Sequence, residues 1–375
     1  MALGLWLLGW ALTASGQGAG AASGGPPAAA ASAAAPAPVR ISRDTGRLRA
    51  AQLGLVINED DPYSVAVGQY YQAQRGLAPS QVLRVRLPRR PRLSADEFGA
   101  LRQQIDGHFG AGIQALALAW REPFAVDCHA ITGALALGLH PEACRRSCDR
   151  TPGSAVFNHP GTTPLQSAGF RLSMLLAAPS ESAARALIDR GVAADGRLGR
   201  MFGDEAVALF VHTSDAARNV RAPWFPEPGY LLGQHLAIRR LDAAPDEALR
   251  QADLVLLQTG AARLGDLSGL GFLPGALADH LTSFGGVLDG SSGQSSAMVW
   301  IAAGATASHG TVSEPCNHLQ KFPFPPLLLG HYLQGVTAVE AYWKSVAWPL
   351  QSLFIGEPLA APFARDAASP PGTAR

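Results

Sequence analysis

Strand-like and helix-like segments alternate at the start of the region that can build a core. An apolar run at residues 53–58 predicts a strand, and the helical spacing that follows ends at Gly76, a residue typical of helix C-termini. The segment VLRVRL predicts a second strand, Ser94 and Glu97 form a capping box at the start of a second helix, and the apolar residues 113–120 predict a third strand. This β-α-β-α-β order favours an α/β fold with a mostly parallel sheet and helices on both faces.

The carboxyl ends of these strands are the predicted place for chemistry. Ligands of open parallel sheets bind beyond the carboxyl ends of the strands, so the loops after residues 57 and 120 come first. Glu59, Asp60 and Asp61 lie in the first loop, and their carboxylates are candidate ligands for Ca²⁺ or Mg²⁺. They lack the D-x-D-x-D-G pattern, and acidic residues also stabilise the N-terminus of a following helix. A turn and helix cap is therefore the favoured interpretation.

The remaining segments predict one large α/β domain over residues 47–365. Strands are predicted at RLSMLLAA, EAVALFVHT, HLAIRRLD, ADLVLLQTG and MVWIAAGATA. A helix is predicted after Ser180, and a short helix between the third and fourth of these strands. Residues 121–170 read as an irregular insertion, and residues 214–230, rich in turn residues, predict a long surface loop. No repeat of fixed period occurs.

The N-terminus has the pattern of an export signal. Residues 1–22 hold an apolar core of about a dozen residues followed by small residues, which is typical of a signal peptide and too short to span a bilayer. The Ala/Gly/Pro-rich residues 23–46 predict a disordered linker, and residues 366–375 predict a disordered tail. No later stretch supplies a second membrane segment. The sequence therefore predicts an exported protein of the periplasm or the extracellular space.

The composition excludes several classes of function. A hydrophobic content of 47% with 16% charged residues is typical of a globular chain that builds a core. The net charge of +1 gives no indication of nucleic-acid binding. The basic residues between positions 84 and 92 are interrupted by prolines and have no aromatic neighbours, which favours a solvated loop. No phosphate loop of the Walker or Rossmann form occurs, so no cofactor is predicted.

The four cysteines fit an exported chain that forms disulfides. They are Cys128, Cys144, Cys148 and Cys316. The C-x-x-x-C spacing of the middle two, with one distant cysteine, is a poor match for the paired ligands of tetrahedral zinc. Disulfides are the favoured interpretation, and all three possible pairings of four cysteines stay open.

The stretch ASHGTVSEPCNHLQKFP, residues 307–323, concentrates reactive residue types. Cys316 with His309 or His318 has the residue types of a thiolate nucleophile and its base. Glu314, Cys316 and His318 alternate, so an extended backbone would place them on one face as metal ligands. A disulfide at Cys316 is the favoured alternative to both.

Several segments of the chain resemble segments of two known groups of proteins. The first resemblance covers nearly the whole folded region. It is to an uncharacterised family of exported bacterial proteins from species that carry the exosortase sorting system, and the segments that show it are VINEDDPYSVAVGQYYQAQRG, FLPGALADHLTSFGG, GTVSEPCNHLQKFP and AYWKSVAWP. That family has no established activity, so this resemblance implies only a cellular address. The second resemblance is more distant and is to the gingipain-type cysteine peptidases. The segments that show it are DLVLLQTG, GATASHGT, YLQGVTAVEAYWKSV and FIGEPLAAP. The second resemblance implies a caspase-like α/β fold.

The gingipain resemblance implies a catalytic histidine after one strand and a cysteine after the next. In this chain LQTGAAR puts Ala261 in the place of the histidine, and ALADHLTSFGG offers His280 and Ser283 but no cysteine. Asp279, His280 and Ser283 are the residue types of a hydrolase triad, but triad members normally converge from separate loops. A polar loop with a helix cap is favoured over a triad here.

These observations predict a non-peptidase binding or accessory protein of the cell envelope with a caspase-like fold. A cell-envelope protein or a polysaccharide is the expected partner, and nucleic acid is not. The alternative is a hydrolase with a rearranged site at the strand ends, which would draw on His280, Ser283, His309 or Cys316.

Overall fold

The computed structural model describes residues 46–200, 205–231, 233 and 235–365. The predicted signal peptide, the linker up to residue 45 and the tail from residue 366 lie outside the described residues.

Strands and helices alternate along the described chain. The strands are β1 (Leu53–Asn58), β2 (Val82–Val85), β3 (Arg92–Leu93), β4 (Ala115–Leu118), β5 (Ala125–Val126), β6 (His129–Ala130), β7 (Leu172–Leu175), β8 (Ala206–Thr213), β9 (Gly229–Leu231), β10 (Leu236–Ala243), β11 (Arg250–Gly260), β12 (Gly269–Leu281), β13 (Ala307–Thr311) and β14 (Ser352–Gly356). The helices are α1 (Pro62–Arg75), α2 (Ala95–His108), α3 (Ile131–Leu137), α4 (Pro141–Arg145), α5 (Pro164–Ala168), α6 (Glu181–Ala194), α7 (Arg197–Arg200), α8 (Met298–Ala303), α9 (Pro325–Leu333) and α10 (Ala338–Ser345).

Eleven of these strands form one sheet, in the order β2-β1-β4-β7-β14-β13-β12-β11-β8-β10-β9. Parallel pairing joins β2, β1, β4 and β7, and it also joins β13, β12, β11, β8 and β10. β14 runs antiparallel to β13, and β9 runs antiparallel to β10. The predicted α/β fold with a mostly parallel sheet is therefore confirmed.

Helices cover both faces of the sheet where β1 runs. All six residues of β1 are buried, and successive side chains of a strand point to opposite faces. On one face the ring of Phe109, which ends α2, lies so close to Gly54 that an added Cβ would come within 2.8 Å of it. On the other face Gly68 of α1 lies against Ile57, where an added Cβ would come within 2.6 Å of the side chain. α1 and α2 thus lie on opposite faces of the sheet.

The ends of these two helices follow the predicted local signals. Asp61 caps α1 by accepting a hydrogen bond from the Tyr63 backbone N–H, and Gly76 ends it in the left-handed conformation, with a φ of 62°. Ser94 and Glu97 form the predicted capping box at the start of α2.

The segment MVWIAAGATA is a helix followed by a strand, so the predicted continuous strand was wrong. Its first six residues form α8, which ends at Gly304 with a φ of 112°, and β13 begins at Ala307. A short apolar run does not by its periodicity distinguish a buried strand from a buried helix. The glycine, placed where a helix C-terminus needs a positive φ, is the signal that decides between them.

Two other local predictions also differ from the structure. The segment between β10 and β11 is a turn rather than a helix, closed by a hydrogen bond from the Glu247 N–H to the Ala244 carbonyl. Residues 214–230 are only partly a surface loop, because Arg221 within them is 1% exposed.

The predicted insertion, residues 121–170, contains β5 and β6, which join β3 in a small second sheet. It also contains α3, which packs on β7 and β14.

All four cysteines form disulfides, as the sequence predicts. Cys128 pairs with Cys144, and Cys148 pairs with Cys316. Cys144 and Cys148 therefore join one short segment to Cys128, 16 positions before Cys144, and to Cys316, 168 positions after Cys148. Within the described part of the chain, no helix is both long enough and apolar enough to cross a membrane.

Candidate functional site

A charged cavity of about 500 Å³ lies where the loops after β1, β2 and β4 meet the segment after β12. Its lining residues are Asp61, Arg89, Arg121, Glu122, Leu288, Asp289 and Met298. Asp61 follows β1 and Arg121 follows β4, so the cavity lies at the carboxyl ends of parallel strands, where ligands of such sheets bind. Its walls combine three carboxyl groups with two guanidinium groups.

The two arginines of the cavity already have partners. The Arg121 guanidinium lies 4.8 Å from the centre of the Tyr63 ring and donates a hydrogen bond of 3.0 Å to the Pro179 carbonyl. Arg89 Nε lies 3.8 Å from Asp61 Oδ1, the oxygen that caps α1. Both guanidinium groups therefore contact neighbouring groups of the protein, and they leave little positive charge unpaired in the cavity.

Glu122 is the carboxyl group of the cavity that has no partner. It is half-buried, and it makes no hydrogen bond or ion pair with another described residue. Burial raises the pKa of this carboxyl group, and the charge of Asp289 raises it further. A cation placed in the cavity would meet this unpaired carboxylate.

The acidic residues after β1 do not converge on a common point. Arg86 donates to both Glu59 and Asp60, while Asp61 caps α1. These contacts are those of a turn with a helix cap. Among the described residues, Cys128, His129 and Cys144 are the group with metal-ligand spacing, but both sulfurs of that group are joined in a disulfide.

His280 and Ser283 do not form a catalytic pair. Trp300 Nε1–H donates a hydrogen bond of 2.9 Å to His280 Nδ1, and His280 Nε2 lies 2.9 Å from the Ser295 carbonyl, to which it donates. Both ring nitrogens are thus used, and burial lowers the pKa of His280 to about 4. Ser283 accepts a hydrogen bond of 2.8 Å from the Thr311 hydroxyl through its backbone carbonyl. His280 is a neutral core histidine.

The residues of the stretch 307–323 lie in separate environments. His309 belongs to β13 and is fully buried, whereas Cys316 is bonded to Cys148 and so has no thiol. Glu314 accepts a hydrogen bond from the backbone N–H of Cys316, and His318 Nε2 lies 2.7 Å from the Cys148 carbonyl. The stretch therefore contains neither the thiolate pair nor the metal triplet that its residue types allow.

The positions that the sequence resemblance aligns with a peptidase dyad are buried or hydrogen-bonded. Ala261, directly after β11, is fully buried. Thr282, directly after β12, donates a hydrogen bond to Gln294 Oε1 and accepts one of 3.2 Å from Arg218 Nε. Arg218 also pairs with Asp215. Thr282, Gln294, Arg218 and Asp215 thus form a polar cluster at the end of β12.

A buried polar row crosses three neighbouring strands, and sequence reasoning missed it. Gln258 pairs in register with Asp279, and the register between β12 and β13 puts Asp279 beside His309 on the same face of the sheet. Arg221, from the loop after β8, donates to Asp279 Oδ1 at 2.5 Å, and Gln258 Nε2 donates to Asp279 Oδ2 at 3.0 Å. All four side chains are buried. The available signal was a polar residue inside the buried part of each strand: Gln258 in β11, Asp279 in β12 and His309 in β13.

Comparisons of the chain with known protein families, with curated proteins and with solved structures found no match.

Proposed function

We propose that this chain is an exported binding or accessory protein of the cell envelope in exosortase-bearing bacteria, with a caspase- or gingipain-like fold that has lost the peptidase dyad. The observation that carries this proposal is that Ala261, which the resemblance aligns with the catalytic histidine, is fully buried and has no side chain that could act as a base. The one cysteine of the reactive stretch, Cys316, is held in a disulfide. The two disulfides also support export, because such bonds persist in oxidising compartments.

The charged cavity is the proposed ligand site. Its arginines are engaged with Tyr63, Pro179 and Asp61, and Glu122 is the group without a partner. An ionised hydrogen-bond acceptor that stays unpaired in a half-buried site favours a charged donor. The proposed ligand is a small polar molecule with a cationic group, such as an amine, an amino acid or an amino sugar.

The test of this site replaces Glu122 with glutamine. Isothermal titration calorimetry with lysine, putrescine and glucosamine is expected to detect binding, and Glu122→Gln is expected to weaken it about tenfold to a hundredfold, since hydrogen bonds to charged groups contribute about 1.5–3 kcal/mol. Because the pKa of Glu122 is raised, affinity for the cation is expected to fall on acidification at a higher pH than an ordinary glutamate would give.

Glu205→Gln is the matched control for this measurement. Glu205 is an exposed glutamate that pairs with Arg239, so its replacement is expected to leave binding unchanged. Failure of all three compounds to bind, or equal binding by wild type and Glu122→Gln, would rule out the cavity as a site for cations.

The hydrolase alternative has a separate test. The purified protein is expected to cleave neither casein nor small ester substrates, because His280 has both ring nitrogens engaged and Cys316 has no thiol. Turnover that is lost in Ser283→Ala and kept in the exposed-serine control Ser182→Ala would instead establish the hydrolase.

A further inference from the structure

The buried polar row of Gln258, Asp279, His309 and Arg221 has unpaired atoms. Arg221 Nε, Gln258 Oε1 and both ring nitrogens of His309 have no hydrogen-bond partner among the described residues. Buried polar groups in folded proteins nearly always have partners, so a group of orphans at one place calls for an explanation. Here the orphans lie near the carboxyl ends of three parallel strands, where a sheet of this class binds its ligands.

Residues 314–324, which we call the strap, cover this row. The Pro323 carbonyl accepts hydrogen bonds from Arg221 Nη1, at 3.2 Å, and from Gln258 Nε2, at 3.4 Å. The Phe322 ring lies edge-on to His309, with 6.1 Å between the ring centroids. The strap therefore separates the row from solvent.

One disulfide joins the strap to the segment that follows α4. Cys316 of the strap is bonded to Cys148, and near this bond His318 Nε2 contacts the Cys148 carbonyl and Lys321 Nζ donates to the Ser147 carbonyl at 2.5 Å. Cys148 is exposed, so a reductant in solution can reach the bond.

The backbone beside this bond is strained. Cys316 and Asn317 both have a φ of 57°, a left-handed conformation that non-glycine residues rarely adopt, least of all two in succession. The disulfide holds one of these two residues in place. Breaking the bond therefore removes the covalent constraint on this conformation and leaves hydrogen bonds, such as the one from the Trp348 N–H to the Gln320 carbonyl, to hold the strap.

We propose that the strap is a redox-released cover, which exposes the buried polar row when a dithiol reduces the Cys148–Cys316 disulfide. The dithiol supplies two electrons and two protons, the S–S bond breaks, two cysteine thiols form, and the dithiol closes to its own disulfide. The strap then keeps only non-covalent contacts, and its departure removes Phe322 from His309 and the Pro323 carbonyl from Arg221. This device is independent of the proposed ligand at Glu122.

Three histidines of this one chain make the proposal testable by diethylpyrocarbonate labelling with peptide mass spectrometry. His309 lies beneath the strap, His280 is buried and held by Trp300 and Ser295, and His212 is exposed. On treatment with dithiothreitol, labelling of His309 is expected to rise about tenfold or more, because the reactivity of a covered side chain follows the population of the open form. Labelling of His280 is expected to stay low and that of His212 to stay high.

Two pairs of cysteine substitutions assign the effect to one bond. Cys148→Ser with Cys316→Ser is expected to expose His309 without reductant, whereas Cys128→Ser with Cys144→Ser is expected to leave it covered. The proposal is overturned if reduction leaves His309 protected, if it labels His280 as strongly as His309, which would mean general unfolding, or if the second pair exposes His309 as much as the first. Where a variant does not fold, peptide mapping of the wild-type chain after partial reduction shows which disulfide has opened when the labelling of His309 rises, and a rise while Cys148 and Cys316 are still bonded also overturns the proposal.

Discussion

Arg221→Met is expected to lower the free energy of unfolding by about 3–5 kcal/mol, because removing one partner of a buried ion pair leaves the other charge uncompensated. Arg221 is 1% exposed, and its guanidinium lies 2.5 Å from the carboxylate of Asp279, which is fully buried. The same substitution also removes the donor to the Thr259 and Pro323 carbonyls. Urea titration at neutral pH measures the loss.

Two further variants separate the ion pair from the loss of the arginine itself. Arg239→Met removes an arginine whose pair with Glu205 is about half exposed on both sides, and we expect a cost of at most about 1 kcal/mol. The double variant Arg221→Met with Asp279→Leu removes both buried charges, and we expect it to recover most of the stability that the single variant loses. Equal stability of the single and double variants would contradict an uncompensated charge as the cause.

The pH dependence of the stability of Arg221→Met gives a second test of whether the uncompensated charge of Asp279 causes the loss. Burial raises the pKa of Asp279, and the charge of Arg221 pulls it down, so the variant has a higher Asp279 pKa than the wild type. A carboxyl group with a higher pKa in the folded than in the unfolded chain binds its proton more tightly when folded, so acidification favours the fold. The stability difference between wild type and variant is therefore expected to narrow from about pH 8 to about pH 5. A constant difference would mean that lost packing, and not charge, is responsible.

The first third of the fold is the part that sequence patterns predict well. The residues that define it act locally: Ser94 with Glu97 starts a helix, and Gly76 ends one, whatever the rest of the chain does. β1 pairs with two parallel neighbours, β2 and β4. A connection between neighbouring parallel strands has to cross back over the sheet, and the helices between these strands make that crossing. Local signals and tertiary packing agree in this region, so the prediction needed no knowledge of distant contacts.

The buried polar row and the disulfide pairing depend on distance in three dimensions. Arg221 lies in a segment whose turn residues predict exposure, and its burial follows from Asp279, fifty-eight positions along the chain. Likewise, four cysteines allow three pairings, and the sequence contains no reason for Cys148 to prefer Cys316 over its near neighbour Cys144. The strap could be recognised only once the register of β11, β12 and β13 was known.

The charged cavity lies between these two cases. Its position at the carboxyl ends of β1 and β4 follows from the predicted parallel sheet. Its composition does not, because Leu288 and Asp289 come from a segment far along the chain that meets those loops only in the folded protein. Glu122 was therefore not a predicted site residue, although the loop that contains it was a predicted site.

Replacing Cys148 and Cys316 with serine is expected to cost at most about 5 kcal/mol of unfolding free energy, against about 3 kcal/mol for replacing Cys128 and Cys144. These values follow from loop length alone, because a disulfide restricts the unfolded chain by an amount that grows with the logarithm of the loop it closes. The sequence separations are 168 and 16 residues. Guanidinium titration of the two double variants, beside the wild type under non-reducing conditions, measures both costs.

The difference between these two losses of unfolding free energy tests whether the strap is strained, and their order tests whether loop length decides the stability. Strain at Cys316 and Asn317, if released with the strap, returns part of the free energy lost when the long loop is opened, so the measured difference between the variants is expected to fall below the 2 kcal/mol or so that loop length alone predicts. A larger difference would mean that the strap is unstrained and that its closure contributes to stability, which would weaken the case for release on reduction. If the short-loop pair proves the costlier one, loop entropy is not the main contribution to the stability, and the contacts of the segment around Cys144 decide it instead.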